Sequence, residues 1–261
     1  GDIVDWPPSE RDGFDFRPVN GVVNAFHYRN LNELADMARA IGKDREADEL
    51  SAQAARVRTA FRRAFLDRGK GLFVDGEGSL HASLHVNAVA AAFGLADETE
   101  LPRIAEFLGR KGMACGVYFA QYLLEALFRA DRADLAVGMM AATGDRSWKG
   151  MIDFGATIAL EAWNMNVKPN QDLNHAWGAV PLNIISRYVL GVTPLEPGFA
   201  KISVKPQVGG LESVKGTVPT ARGRVEVEVK GGRLSVSLPA PAQVVWNGRT
   251  HEVPAGRHQF E

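Results

Sequence analysis

The residues best suited to chemistry lie in two short segments close together in the chain. The first holds Glu161 and Trp163, and the second, 174–178, holds His175 and Trp177. A charged carboxylate among apolar residues is costly to bury unless it is paired or used. Aromatic faces suit sugar rings, imidazole binds hydroxyl groups, and a carboxylate can move protons. Together, these residue types indicate a carbohydrate-cleaving site. The alternative is that Glu161 caps a neighbouring helix and that the tryptophans belong to the core.

The order of these residues resembles a late motif of bacterial α-L-rhamnosidases, roughly G-A-T-T-x-W-E-x-W followed by N-H-x-x-x-G-A. Here the motif reads Gly-Ala-Thr at 155–157, Glu-Ala-Trp at 161–163 and Asn-His-Ala-Trp-Gly-Ala at 174–179. The chain departs from it at Ile158 and Leu160, and the intervening loop is short. The resemblance implies that Glu161 is the general base that activates water, and that His175 contacts bound rhamnose.

A second segment, 1–6, resembles the family's G-D-W motif with extra residues inserted. The resemblance implies that Trp6 lines the sugar subsite, and we place Asp5 of the same segment among the substrate-binding candidates. Trp163 and Trp177 would bound the subsite. Trp148 would be a further sugar platform or, alternatively, a hydrophobic staple at a helix start.

In that family the general acid lies in an upstream motif, roughly D-x-x-x-R-D-E-R-L-G-W. Segment 5–14 resembles it only with one residue deleted and with Arg11 where the acid should fall. We therefore interpret this segment as the loop after the G-D-W motif. The resemblance then implies the C-terminal part of an inverting glycosidase that lacks its general acid. Its expected partners are a rhamnose-containing carbohydrate and the N-terminal part of the same protein.

The elements that must position these residues change character near Pro194. Before it, apolar residues recur at helical spacing, and we predict about eight helical segments between Val19 and Gly191, with Glu161 in a helical region. Charged turns between them are typical of αα-hairpins. Together with the resemblance, the pattern predicts half of an (α/α)6 toroid over residues 1–192. We interpret residues 66–78 as a looped or hairpin excursion, and 79–87 as a helix that carries His81 and His85.

After Pro194 the apolar period becomes two. Alternating valines at 225–229 and apolar residues at 234–238 flank a Gly-Gly turn, which predicts a β-hairpin. Shorter strands are expected at 200–205, 243–246 and 258–260, with 193–198 as a linker. The fold class is thus mainly α with a β domain: a partial toroid at 1–192, then a small antiparallel β-sandwich at 193–261.

Composition narrows the function further. The chain has 261 residues, 46% of them hydrophobic, and a net charge of −1. This balance gives no basic surface for nucleic acid, and no stretch is apolar for long enough to span a membrane. His81 and His85 lack a third ligand, so we expect no metal and no cofactor. The one cysteine excludes an intrachain disulfide, and with no signal peptide in the chain, cytoplasmic, periplasmic and secreted locations all remain open.

Two other functions fit the same residues. One is a non-catalytic carbohydrate-binding or scaffold fragment whose aromatic groove binds sugar without cleaving it. The other is a polysaccharide lyase, because α/α toroids also host β-elimination at uronates. A lyase needs a base and a cation to neutralise the uronate. The candidates here are Tyr118 or Tyr122 with Arg129 or Arg146.

Overall fold

The computed structural model describes residues 2–261, which form two compact units. One unit comprises the residues up to Arg132 together with Ala141–Val180, and the other comprises Ala133–Met140 and Pro181–Glu261. This division differs from the predicted one after residue 192, because helical residues near 135 and 185 associate with the β-rich part of the chain.

The described residues contain eight α-helices, which confirms the predicted number. They are α1 (Gly21–Ala40), α2 (Asp44–Phe65), α3 (Leu84–Ala92), α4 (Leu101–Lys111), α5 (Ala120–Arg129), α6 (Ala133–Met140), α7 (Trp148–Asp153) and α8 (Val180–Ile184), the last continued by a π-helical turn at Ile185–Val189. In the first unit α1 packs on α2, and α3 packs on α5. Almost all of α3 is buried, so this helix is the centre of the first unit.

Polar groups fix the start of α3. Ser83 caps the helix by accepting from the Val86 N–H, and Asp12 accepts from the Leu84 N–H at 2.7 Å. Such acceptors satisfy N–H groups that lack a partner within the helix. The predicted helix at 79–87 is therefore wrong in its first turn. His81 lies before the cap and bonds to Asp75 instead.

Helix α7 ends well before Glu161. Gly155 has a φ of +93°, and the Ala156 N–H bonds back to the Met151 carbonyl, which is the geometry of a Schellman C-cap. The prediction that Glu161 lies in a helical region is therefore wrong. Residues 154–175 contain no regular helix or strand, and Glu161 lies on this irregular segment.

A short hairpin interrupts the helices of the first unit. Strand β1 (Leu66–Asp67) pairs with β2 (Leu72–Phe73). The excursion predicted at 66–78 is confirmed.

The second unit contains two four-stranded sheets. The strands are β3 (Val192–Pro194), β4 (Ile202–Val204), β5 (Ser213–Thr220), β6 (Gly223–Lys230), β7 (Arg233–Leu238), β8 (Ala242–Trp246), β9 (Arg249–Val253) and β10 (Gly256–Phe260). One sheet has the order β10-β7-β6-β5 and the other β3-β4-β8-β9. Valines and leucines from both sheets form a single buried cluster, so the unit is a β-sandwich.

The sandwich differs from the prediction in two details. β4 and β8 pair in parallel, whereas every other pairing in the two sheets is antiparallel. The predicted linker at 193–198 begins as part of β3, because Val192 is buried and pairs with Val204. The hairpin turn at Gly231–Gly232 is as expected, since both glycines have positive φ. No helix among residues 2–261 is long and apolar enough to span a membrane.

Candidate active site

Glu161 and His175 lie on opposite arms of one loop. The Glu161 N–H bonds to the Asp172 carbonyl at 3.1 Å, and the His175 N–H bonds to the Ala159 carbonyl at 2.8 Å. The Ala162 N–H bonds to the Gln171 side chain at 2.9 Å. The two motif segments recognised in the sequence are therefore paired directly, although neither is a strand.

The Glu161 carboxylate is held by two donors from its own loop. Oε2 accepts from Lys168 Nζ at 2.8 Å and from the Asp172 N–H at 2.9 Å. The Lys168 ammonium and the Asp172 N–H both favour the ionised form, with a further contribution from the charge of His175. Together they outweigh the effect of burial and lower the pKa of Glu161.

Tyr118 joins this group from the turn before α5. Burial and the nearby charge of Glu161 raise the pKa of Tyr118 to about 12. The phenol is therefore a protonated donor at neutral pH. Its ring contacts those of His175 and Trp177 edge-on, with centroids 5.3 and 5.5 Å away. Sequence reasoning considered Tyr118 only as a lyase base, because nothing in its neighbours relates it to Glu161.

The tryptophans divide into exposed and buried ones. Trp177 is 73% exposed and Trp163 only 1%. The Trp163 indole donates to the Cys115 carbonyl at 2.7 Å, so the prediction that Trp163 forms a sugar-facing wall is wrong. Trp148 packs edge-on against Trp163 and donates to the Gly178 carbonyl at 2.7 Å. The Trp148 indole thus holds the loop in place through its hydrogen bond to Gly178. A role for Trp148 as a sugar platform stays a prediction.

Asp5 is a buried acceptor and not an exposed sugar contact. Its carboxylate accepts from His85 Nε2 at 2.8 Å, from the Gly116 N–H at 2.6 Å and from the Trp6 N–H at 2.8 Å. The approach is so close that a Cβ on Gly116 would meet Asp5 Oδ1 at 2.5 Å. Gly116 lies two residues before Tyr118, so Asp5 attaches the exposed Trp6 segment next to the Glu161 cluster. Gly1, the first residue of the motif, lies outside the described residues.

The nearby acids of the N-terminal segment are also bonded to cations. Glu10 is 1% exposed and accepts two hydrogen bonds from Arg146. Asp12 accepts from Lys111 Nζ at 2.8 Å as well as from the start of α3. Within residues 2–261, no group of three or more His, Cys, Asp or Glu side chains is arranged to hold a metal ion.

The chain matches two family descriptions. The bacterial alpha-L-rhamnosidase 6 hairpin glycosidase domain matches residues 1–189, and the bacterial alpha-L-rhamnosidase C-terminal domain matches residues 191–252. An alpha-L-rhamnosidase of Alteromonas sp. (strain LOR) is 27% identical to the chain, over 88% of it.

Solved structures resemble the fold as well. A native α-L-rhamnosidase from Aspergillus terreus superposes with a TM-score of 0.80 at 18% identity over 99% of this chain. A Streptomyces avermitilis α-L-rhamnosidase, solved in complex with L-rhamnose, superposes with a TM-score of 0.74 at 19% identity over 97%. The chain covers 26% of the Alteromonas relative and 32% and 29% of the two solved chains. Since the six-hairpin domain description alone covers most of its length, the chain belongs to the bacterial α-L-rhamnosidase family of glycoside hydrolases.

Proposed function

We propose that this chain supplies the general base, Glu161, and one side of the sugar subsite of a glycoside hydrolase that releases terminal α-L-rhamnose with inversion. The observation that carries the proposal is the Glu161 carboxylate, bonded to Lys168 and to the Asp172 N–H, on a loop that also carries an imidazole and an exposed indole. This combination matches the needs of water activation beside a bound sugar.

In this mechanism Glu161 takes a proton from a water molecule as that water attacks the anomeric carbon. A carboxylate can accept about four hydrogen bonds. Lys168 and the Asp172 N–H account for two, both at Oε2, which leaves capacity for a hydrogen bond from water. The general acid would stand roughly 6.5–9.5 Å from Glu161 on the other face of the sugar. His175 would donate to or accept from sugar hydroxyls, and Trp177 would stack on the ring.

We infer that the general acid is none of Asp5, Glu10 or Asp12. A general acid must be protonated and must present its proton to the leaving oxygen. These three carboxylates instead accept hydrogen bonds from His85, Arg146 and Lys111. Held by these donors, none of the three is free to present a proton to a leaving oxygen, so we propose that another residue of the intact protein supplies the acid.

The lyase alternative is weaker on the same geometry. A lyase base must lose its proton, yet the pKa values of Tyr118 and Tyr122 are both raised, chiefly by burial. The two candidate cations are also occupied: Arg146 pairs with Glu10, and Arg129 pairs with Glu98. A carbohydrate-binding fragment remains the competing interpretation.

Rhamnose release from an aryl α-L-rhamnoside tests the proposal. We expect no turnover by the 261-residue chain. In the full-length protein we expect kcat to fall about 10²–10⁴-fold for Glu161→Gln, with sugar binding retained. Glu212→Gln, at an exposed position in the second unit, is the matched control and keeps full activity.

Three results would contradict the proposal. Near-normal turnover in the Glu161→Gln full-length protein would remove the base assignment. Binding without any turnover by the full-length wild type would favour the binding fragment. NMR identifies the anomer of rhamnose that is released first. If that anomer has the same configuration as the substrate, inversion is excluded.

A further inference from the structure

We propose that Lys168 is a positioning residue that fixes both the orientation and the charge state of Glu161. The inference rests on the proposed role of Glu161 as the base. It goes further by naming the residue that sets the pH range over which that base works.

The geometry places Lys168 in a defined position. Its Nζ lies 2.8 Å from Glu161 Oε2 and 3.2 Å from the Asn170 carbonyl. The side chains of Lys168 and Glu161 are only 16% and 14% exposed, so solvent screens their attraction less than it screens a surface pair. Because it is largely buried and bonded to two acceptors, the Lys168 ammonium is held in one position.

The backbone around Lys168 is also fixed. Asn164 Oδ1 accepts from the N–H groups of Asn166 and Val167, at 2.9 and 3.0 Å. The Lys168 N–H bonds to the Asn164 carbonyl, and the Gln171 N–H bonds to the Lys168 carbonyl. The loop tip is thus a series of tight turns that directs the lysine side chain back to the arm that carries Glu161.

The other ionisable groups near Glu161 have different effects. Tyr118 is a neutral phenol because its pKa is raised, and His175 acts on Glu161 through its charge when protonated. Asp172 contributes its backbone N–H to Glu161, while its carboxylate lies 3.6 Å from His175 Nδ1. Lys168 is the one cation that the described residues bring into direct hydrogen bonding with Glu161. Its loss should therefore affect the Glu161 charge more than the loss of any of these neighbours.

The consequence for catalysis has a definite sign. The ammonium holds the pKa of Glu161 below its ordinary value, so the base stays ionised in mildly acidic solution. Without the cation, Glu161 would take up a proton at higher pH. The acidic limb of kcat/KM would then move to higher pH. The carboxylate would also lose one of its orienting donors, which we expect to lower the pH-independent kcat about 10–100-fold.

The test begins with the 261-residue chain and does not need activity. Carboxyl NMR titration of Glu161 is compared among wild type, Lys168→Met, Lys168→Gln and Lys168→Arg. We expect the Glu161 pKa to rise in the Met and Gln variants and to return towards wild type in the Arg variant. Gln keeps a donor without charge and so isolates the effect of the cation. Lys149→Met, which removes an exposed lysine paired with Asp153, should leave the titration unchanged.

The second stage is the pH–rate profile of the same variants in the full-length protein. An unchanged Glu161 pKa in a folded Lys168→Met or Lys168→Gln chain would overturn the role of Lys168. A raised pKa with an unmoved acidic limb would instead overturn the general-base role on which the inference rests. If Lys168→Met fails to fold, as judged by circular dichroism, the Gln and Arg variants still decide between these outcomes.

Discussion

Glu10 and Arg146 form a two-point ion pair although 136 residues separate them in sequence. Both Glu10 oxygens accept from the guanidinium, each at 2.8 Å. The Glu10 carboxylate is buried, whereas the arginine is partly open to solvent. The pair fastens the N-terminal segment that carries Trp6 to the loop that leads into α7.

We expect Arg146→Met to destabilise the chain by about 2 kcal/mol, because it leaves a buried carboxylate without its cation. The half-exposed position of the arginine keeps this value below that of a fully buried pair. Urea unfolding measures the change, and the double variant Glu10→Gln/Arg146→Met should recover part of the loss. A single variant as stable as wild type would show that water replaces the guanidinium without cost.

Substitutions of Trp163 and Trp177 should differ in their effects, the first on stability and the second on sugar binding. Trp163→Phe removes a buried indole and its bond to the Cys115 carbonyl, so we expect a loss of about 2 kcal/mol in unfolding free energy. Trp177→Ala should change stability by less than about 0.5 kcal/mol because the ring is exposed. If Trp177 stacks on sugar, that variant should instead weaken rhamnose affinity about tenfold or more, as measured by calorimetry on the full-length protein. Equal effects of the two substitutions on stability would contradict the assignment.

The stability of the protein should depend on the charge of the Asp5 carboxylate. Asp5→Asn replaces one acceptor oxygen with an amide that cannot accept from the Gly116 N–H, the His85 imidazole and the Trp6 N–H together. We expect a loss of about 1–3 kcal/mol. Gly116→Ala should have a similar effect, since the new methyl group would collide with the same carboxylate. Thermal unfolding measures both, and a neutral Gly116→Ala would mean that the segment can shift without loss.

Acid should weaken the ion pair between Arg62 of α2 and Glu100, the residue that precedes α4. Burial alone would raise the pKa of Glu100, but hydrogen bonds from Arg62 and from the Asp97 N–H reverse that effect and lower it. The stabilisation is therefore complete above the ordinary Glu pKa of 4.5 and is lost as the pH falls through the lowered folded-state value. Glu100→Gln should lose this part of the pH dependence of Tm between about pH 5 and 2. Parallel Tm curves for variant and wild type would contradict the assignment.

The sequence predicted the architecture well because its periodicities are local. The change from helical spacing to alternation near Pro194 and the Gly-Gly turn at 231–232 both correspond to observed elements. The failures come from backbone geometry that a pattern does not reveal. Gly155 ends α7 by adopting a left-handed conformation, so the apolar run towards Glu161 is a loop and not a helix.

Residue order brought most members of the candidate site together, whereas residue type did not identify all of them. Glu161, His175 and Trp177 lie together, as the motif implies. Tyr118 and Lys168 were missed as members of the cluster because neither belongs to the quoted motif, and Tyr118 comes from a distant turn. Trp163 was misassigned because a tryptophan in a motif looks the same whether it faces sugar or core. Only the burial of its indole distinguishes the two.

The pairing of the two arms at 159–162 and 171–175 has an evolutionary consequence. Since hydrogen bonds from the backbone N–H groups of Glu161, Ala162 and His175 join the arms at their base, a change in tip length that keeps Lys168 would leave the backbone at Glu161 and His175 in the same relation. The spacing in sequence between Glu161 and His175 is therefore less constrained than their spacing in the fold. A search pattern built on these two residues should let the gap between them vary.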